Sequence, residues 1–266
     1  MATMHEIEYQ IVGDDMQFVM IELDPGEAVL GEAGAMLYME DGISLQTIFG
    51  DGTPQQGGFM GALLGAGKRL LTGESLFMTV FLNQTQTKRK AAFAAPYPGK
   101  IAALHLQDLG GELLAQKDSF LCAAKGVALD IAFTRKFGAG LFGGEGFILQ
   151  RLTGDGWTFV HAGGTLAEKV LAPGEVIRVD TGCIVAMQPS VDYDIQLAGG
   201  VKTVLFGGEG LFLATLRGPG KVWLQSLPFS RLASRIYAAA PQAGGGGREQ
   251  GSILGHLGNL LDGDGR

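Results

Sequence analysis

The chain has 266 residues, 46% of them hydrophobic and only 18% charged, enough apolar side chain to bury one sizeable core. With 27 acidic against 20 basic residues the formal charge is -7, the wrong sign for a protein that tracks a phosphate backbone, so nucleic acid is excluded as a main partner. The 44 glycines, more than twice the roughly 7% usual share, point to tight turns between short strands and exclude long helices as the main architecture.

Met1 to Glu8 carries neither the basic n-region nor the apolar h-region of a signal peptide, and no run of about 18 uncharged apolar residues could span a bilayer. A cytoplasmic protein is the expectation. The two cysteines, Cys122 and Cys183, have no C-x-x-C spacing and fit a reducing compartment.

The first element with internal echoes is Gly26-Glu27 onward (GEAVLGEAGAMLYME), which aligns without gaps with Gly111-Glu112 onward (GELLAQKDSFLCAAK) and Gly174-Glu175 onward (GEVIRVDTGCIVAMQ). Each reads as a turn, a strand, an acidic residue beside a small one (Glu32 and Gly34, Asp118 and Ser119, Asp180 and Gly182), and a second strand. A second signature follows each first one, at Gly73-Glu74, Gly144-Glu145 and Gly208-Glu209, and each leads into an apolar strand. Glu27 to Glu74 is 47 positions, Glu112 to Glu145 is 33 and Glu175 to Glu209 is 34. The first copy therefore carries an insertion of about 14 residues, placed within Gly50 to Lys68, and such insertions map to a loop on one face.

Within that insertion Phe59, Met60, Leu63 and Leu64 form an uncharged, glycine-flanked apolar stretch and are candidate contact residues for self-association or a partner. Glu74, Glu145 and Glu209 have two readings. Each carboxylate accepts backbone N–H groups at a glycine turn, or the three together ring a pseudo-threefold axis and bind a cation or basic partner; the first reading is preferred. Lys88-Arg89-Lys90, the one basic run, follows a strand ending at Asn83-Gln84-Thr85 and reads as a solvated turn.

Gly138 to Gly143 matches G-x-G-x-x-G, but a strand (Phe147-Ile-Leu-Gln) follows where a dinucleotide site needs a helix. Gly65-Ala-Gly67-Lys68-Arg69 lacks the first glycine and the Ser/Thr of a phosphate loop. His5, His105, His161 and His256 have no ligand-like spacing, no G-x-S-x-G elbow occurs, and the repeat alignment places both cysteines at positions filled elsewhere by apolar residues. The reading names no catalytic residue, no cofactor and no metal. Near the end, Ser230 is expected to N-cap a short helix through Leu232, Ile236 and Tyr237 that stops at Pro241, followed by the Gly244–Gly247 linker and a tail with Ile253, Leu254, Leu257, Leu260 and Leu261 at near-helical spacing.

The expected organisation is one triplicated β domain over 1–240, with repeats at about 5–90, 91–156 and 157–228 and a short helix at 230–240, then a flexible glycine-rich tail over 241–266. The triplicated Gly-Glu turns, the GESLF and LFGGEG segments and Tyr193-Asp194-Ile195 resemble the altered-inheritance-of-mitochondria protein 24 family, from about His5 to Tyr237. That family is grouped with the tryptophan RNA-binding attenuation protein as TRAP-like. The resemblance implies an all-β, double-stranded β-helix or jelly-roll-like sandwich with internal pseudo-threefold symmetry. It implies inner-membrane organisation for mitochondrial members and no established activity for bacterial ones, which this chain resembles more. No residues match the tryptophan or RNA sites of the attenuation protein.

The function expected is that of a non-enzymatic scaffold or binding protein that self-associates, a trimer being one form, and meets an unknown protein partner, a membrane-bound one being one form, through the insertion or the tail. The alternative is a small-molecule- or metal-binding β-barrel enzyme.

Overall fold

The computed structural model describes residues 5–49, 77–135, 147–197 and 212–240. Its chain order is β1 (Glu8–Val12), β2 (Phe18–Leu23), β3 (Ala28–Gly31), β4 (Met36–Met39), β5 (Ile43–Phe49), β6 (Phe77–Asn83) and β7 (Arg89–Ala94). Next come β8 (Gly99–His105), β9 (Glu112–Gln116), β10 (Phe120–Ala124), β11 (Ala128–Arg135), β12 (Phe147–Thr153) and β13 (Trp157–Gly163). The last strands are β14 (Leu166–Leu171), β15 (Val176–Asp180), β16 (Ile184–Met187), β17 (Asp192–Leu197), β18 (Phe212–Arg217) and β19 (Gly220–Gln225), before the helix α1 (Phe229–Ala239). The expected all-β class is met, with one short C-terminal helix among the described residues.

The turns explain the shortness of the strands. Asp24-Pro25-Gly26-Glu27 and Ala172-Pro173-Gly174-Glu175 set proline and then a left-handed glycine (φ 84° and 77°) at their centres, the chemistry of a type II turn. Each is closed by the Glu N–H donating to the first residue's carbonyl, at 2.9 Å in both. The Glu side chain then accepts that first residue's N–H, Asp24 N to Glu27 Oε2 at 2.8 Å and Ala172 N to Glu175 Oε2 at 2.9 Å. Short 3₁₀ turns at Ala33–Ala35, Lys117–Ser119 and Thr181–Cys183 break the chain between β3 and β4, β9 and β10, and β15 and β16.

Four sheets result among the described residues, with every strand pairing in them antiparallel. Sheet 1 has the order β1-β2-β7-β4, sheet 2 β5-β6-β3-β10-β13-β8, sheet 3 β11-β12-β9-β16-β19-β14, and sheet 4 β15-β18-β17. One core lies between sheet 1 and sheet 2, with Val19, Ile21, Phe93, Val29, Phe81 and Phe159. A second lies between sheets 2 and 3, with Leu30, Val80, Leu113, Leu152, Val160 and Trp223, and a third between sheets 3 and 4, with Leu149, Met187, Val222, Ala214 and Leu216. Sheets 2 and 3 are thus buried on both faces, which is why β3, β10 and β16 are buried along their whole length and read as continuous apolar runs. Sheets 1 and 4 are the outer layers, and β2 shows the alternation of a strand with one wet face.

The residues form two compact units, 1–232 and 233–266. The helix begins at Phe229, so Ser230 lies in its first turn instead of capping it. The Pro228 carbonyl accepts the Arg231 and Leu232 N–H groups in its place (3.0 and 3.2 Å). Among the described residues no helix is long and apolar enough to cross a membrane.

Candidate functional site: an acidic cleft beside the first strands

The seven residues singled out in the sequence, Glu74, Glu145, Glu209, Phe59, Met60, Leu63 and Leu64, fall in the connections between β5 and β6, β11 and β12, and β17 and β18, and lie outside the described residues. The structure brings other groups together. A cleft of about 550 Å³ opens beside β1 and the end of β2, against the β8 end and the turn before β13. The segment leading into β1 supplies His5 and Glu6, β1 supplies Glu8, the β2 end and its turn supply Glu22, Asp24 and Glu27, and the opposite wall is His105, Gln107, Asp155 and Trp157.

Strand periodicity puts these carboxylates together. Glu6 and Glu8 share one face by the two-residue repeat of a strand, and Glu22 stands directly opposite Glu8 in the β1–β2 register. Like charges so placed repel. Lys88 relieves the repulsion by bridging Glu8 (2.9 Å), Glu22 (2.8 Å) and Asp24 (3.5 Å), and Lys90 reaches Glu22 at 3.7 Å. The Lys88 bridge, first of all, holds the Glu22 carboxyl below its ordinary range, and the two glutamates in turn raise the Lys88 ammonium above its own. Lys88 and Lys90 of the basic run are thus ion-paired at the start of β7, and Arg89 donates to the Asp41 carbonyl at 2.9 Å.

His5 is committed to structure: its Nδ1 accepts the Ala28 N–H at 2.9 Å, and burial, followed by Lys125, lowers its pKa. His105 packs at a tilt against Trp157 with ring centroids 4.7 Å apart and sets Nδ1 3.6 Å from Asp108, while behind the wall Tyr9 lies 4.9 Å from Trp157 and from the buried Phe159. The wall thus carries the Trp157 and His105 rings beside Asp155, and the floor is anionic, a combination that accommodates a positively charged group.

The other reactive side chains are spent on packing. Cys122 is fully buried and its thiol is pushed well up by burial. Cys183 is half-buried and also raised, by burial and by Asp180, and it accepts a 3.8 Å contact from Arg231. Neither environment makes the thiolate that nucleophilic chemistry needs. His161 lies buried on β13 against Tyr97 (4.6 Å) and is drawn down to about 4 by burial, the Tyr97 backbone opposing this in smaller measure even though no partner sits in good hydrogen-bond geometry to either ring nitrogen. Among the described residues no three His, Cys, Asp or Glu side chains are placed to hold a metal ion.

With this geometry in view, residues 9–227 match the family described as mitochondrial biogenesis AIM24. The chain belongs to that family. An uncharacterised protein of Streptococcus pyogenes serotype M6 is 30% identical over 230 residues, covering 85% of this chain and 88% of the relative. A crystal structure of a Streptococcus pyogenes protein from a structural genomics consortium superposes with a TM-score of 0.70 at 25% identity, over 88% of this chain and all of that one. Bacterial members with this all-β fold thus accompany the family assignment.

The sequence signal for the cleft was the alternation Glu6/Glu8 and Glu22/Asp24. Each pair alone reads as the solvated face of an edge strand. Only the antiparallel register makes them one patch.

Proposed function

We propose that the protein is a non-enzymatic, self-associating scaffold or binding module with a TRAP-like double-stranded β-helix or β-sandwich fold built from three copies of one six-stranded unit. The observation that supports the reading is the order of pairing. The orders β5-β6-β3, β11-β12-β9 and β17-β18-β15 correspond strand for strand, as do β2-β7-β4, β8-β13-β10 and β14-β19-β16. On this reading the units run from β2 to β7, β8 to β13 and β14 to β19, each with its own 3₁₀ turn and with cores that draw residues from neighbouring units, and β1 is an addition to the first. Each inner sheet is then half one unit and half the next. Such an architecture multiplies a surface instead of building one catalytic pocket, and Glu27, Glu175, His5 and Cys122 serve turns and packing.

The partner is taken to be a protein that presents basic side chains to the acidic cleft, with the apolar stretch around Phe59 to Leu64 and the tail as further contacts toward a membrane-associated partner. A cytoplasmic setting suits the reduced cysteines. Native mass spectrometry of the purified protein tests this: an oligomer without bound ligand is expected. A monomer, or a stoichiometric metal or small molecule, overturns it, the latter in favour of a β-barrel enzyme.

A further inference from the structure

The strand orders contain a seam that occurs twice and lacks a third instance. β3 pairs with β10, and β9 with β16. In the alignment of the Gly-Glu repeats these are the same two positions, and the remaining pair is β15 with β4. Among the described residues neither has that partner: β15 lies at the edge of sheet 4 and β4 at the edge of sheet 1, in outer layers that share no core.

Burial marks the difference. All five residues of β10 and all four of β16 are buried, whereas three of four in β4 are exposed. On the other side of the seam β3 is wholly buried and no residue of β15 is. The unpartnered edges carry Met36, Leu37, Tyr38 and Val176 at 39, 51, 38 and 44% exposure. An edge with free N–H and C=O groups and apolar side chains is a template for another strand.

We propose that β15 of one copy pairs antiparallel with β4 of a second copy, joining sheet 4 to sheet 1 into a sheet like the two inner ones. The register follows from the seams within the chain. Leu30 opposite Ala123 and Ala115 opposite Ala186 place Arg178 opposite Tyr38, and Val29 opposite Ala124 and Leu114 opposite Met187 place Ile177 opposite Met39. Arg178 then lies beside the Tyr38 ring, a favourable cation–π neighbour. The contact uses different strands of the two copies, so it is head-to-tail and closes into a ring when the rotation per copy permits. It rests on the self-associating reading above and names its interface.

The test mixes two proteins, Arg178→Cys and Tyr38→Cys, each also carrying Cys183→Ser, under mild oxidation. Directly opposed residues of antiparallel strands have Cα atoms about 4.5–5.5 Å apart, within disulfide reach. A covalent dimer is expected from the mixture, with none from either protein alone and none when Tyr9→Cys, on the opposite edge strand of sheet 1, replaces Tyr38→Cys. Leu37→Asp, at an exposed position, is expected to keep the circular dichroism spectrum and weaken assembly by about 100-fold or more. A monomeric wild type overturns the self-association reading itself. An oligomeric wild type that gives no 38–178 crosslink and is indifferent to Leu37→Asp, or a disulfide formed within one doubly substituted chain but never between chains, overturns this interface alone.

Discussion

Asn83 closes β6 with no exposed surface, and all its polar capacity is used: Nδ2 donates to the Leu23 and Thr87 carbonyls (2.9 and 2.8 Å), and Oδ1 accepts the Thr85 N–H and hydroxyl (both 2.9 Å). Asn83→Ala orphans those groups and is expected to lower unfolding free energy by roughly 2–4 kcal/mol, read by urea denaturation. His161 governs the acid side. Its folded pKa of about 4 lies below the unfolded value of 6.5, so on acidification the unfolded chain takes up a proton that the folded chain refuses. Stability is present in full above about pH 6.5 and falls toward pH 4, by up to roughly 1.4 kcal/mol for each pH unit. His161→Leu should flatten denaturation midpoints over that window, leaving the smaller slope of His5; an unchanged profile would place the effect elsewhere. At the cleft, Lys88→Met removes the cation that keeps Glu8 and Glu22 compatible. Its melting temperature should drop at neutral pH and recover in high salt, which screens the exposed pair.

Among the elements, the turn of Pro173-Gly174 isolates a backbone effect, because a Cβ at Gly174 meets no neighbour while φ is +77°. Gly174→Ala should therefore cost about 1 kcal/mol by conformational strain alone, measurable as a small shift in urea midpoint. These turns were legible in the sequence, since proline, glycine and a following glutamate each have a local reason to be there. The strand pairs flanking them were legible too, as three aligned copies of one pattern. The cleft and the sheet seams were not. Glu8 and Glu22 become neighbours only through the β1–β2 register, and β10 lies about 90 residues along the chain from β3. Local patterning states which face of a strand is apolar and is silent on which strand lies beside it. Met36, Leu37 and Tyr38 show the same limit: they read as core by alignment with Leu121, Cys122 and Ala123, and the structure leaves them on an open edge.

Among the described residues strand pairing ends at Gln225, and residues 233–266 belong to the second of the two compact units. Deleting 241–266 is expected to leave the melting temperature within about 2 °C of the full chain in scanning calorimetry. The shared sheets also set a timetable for synthesis. β3 gains its second neighbour only when β10 is made, and about 90 residues of translation separate the two, which at roughly 5–20 residues per second is on the order of 5–20 s. For that interval the nascent chain shows an apolar strand edge that its finished form conceals, and the wait recurs when β9 stands open for β16. A chain of this architecture therefore leaves the ribosome as a succession of temporarily sticky intermediates, each with an edge that stays open until its partner strand is made.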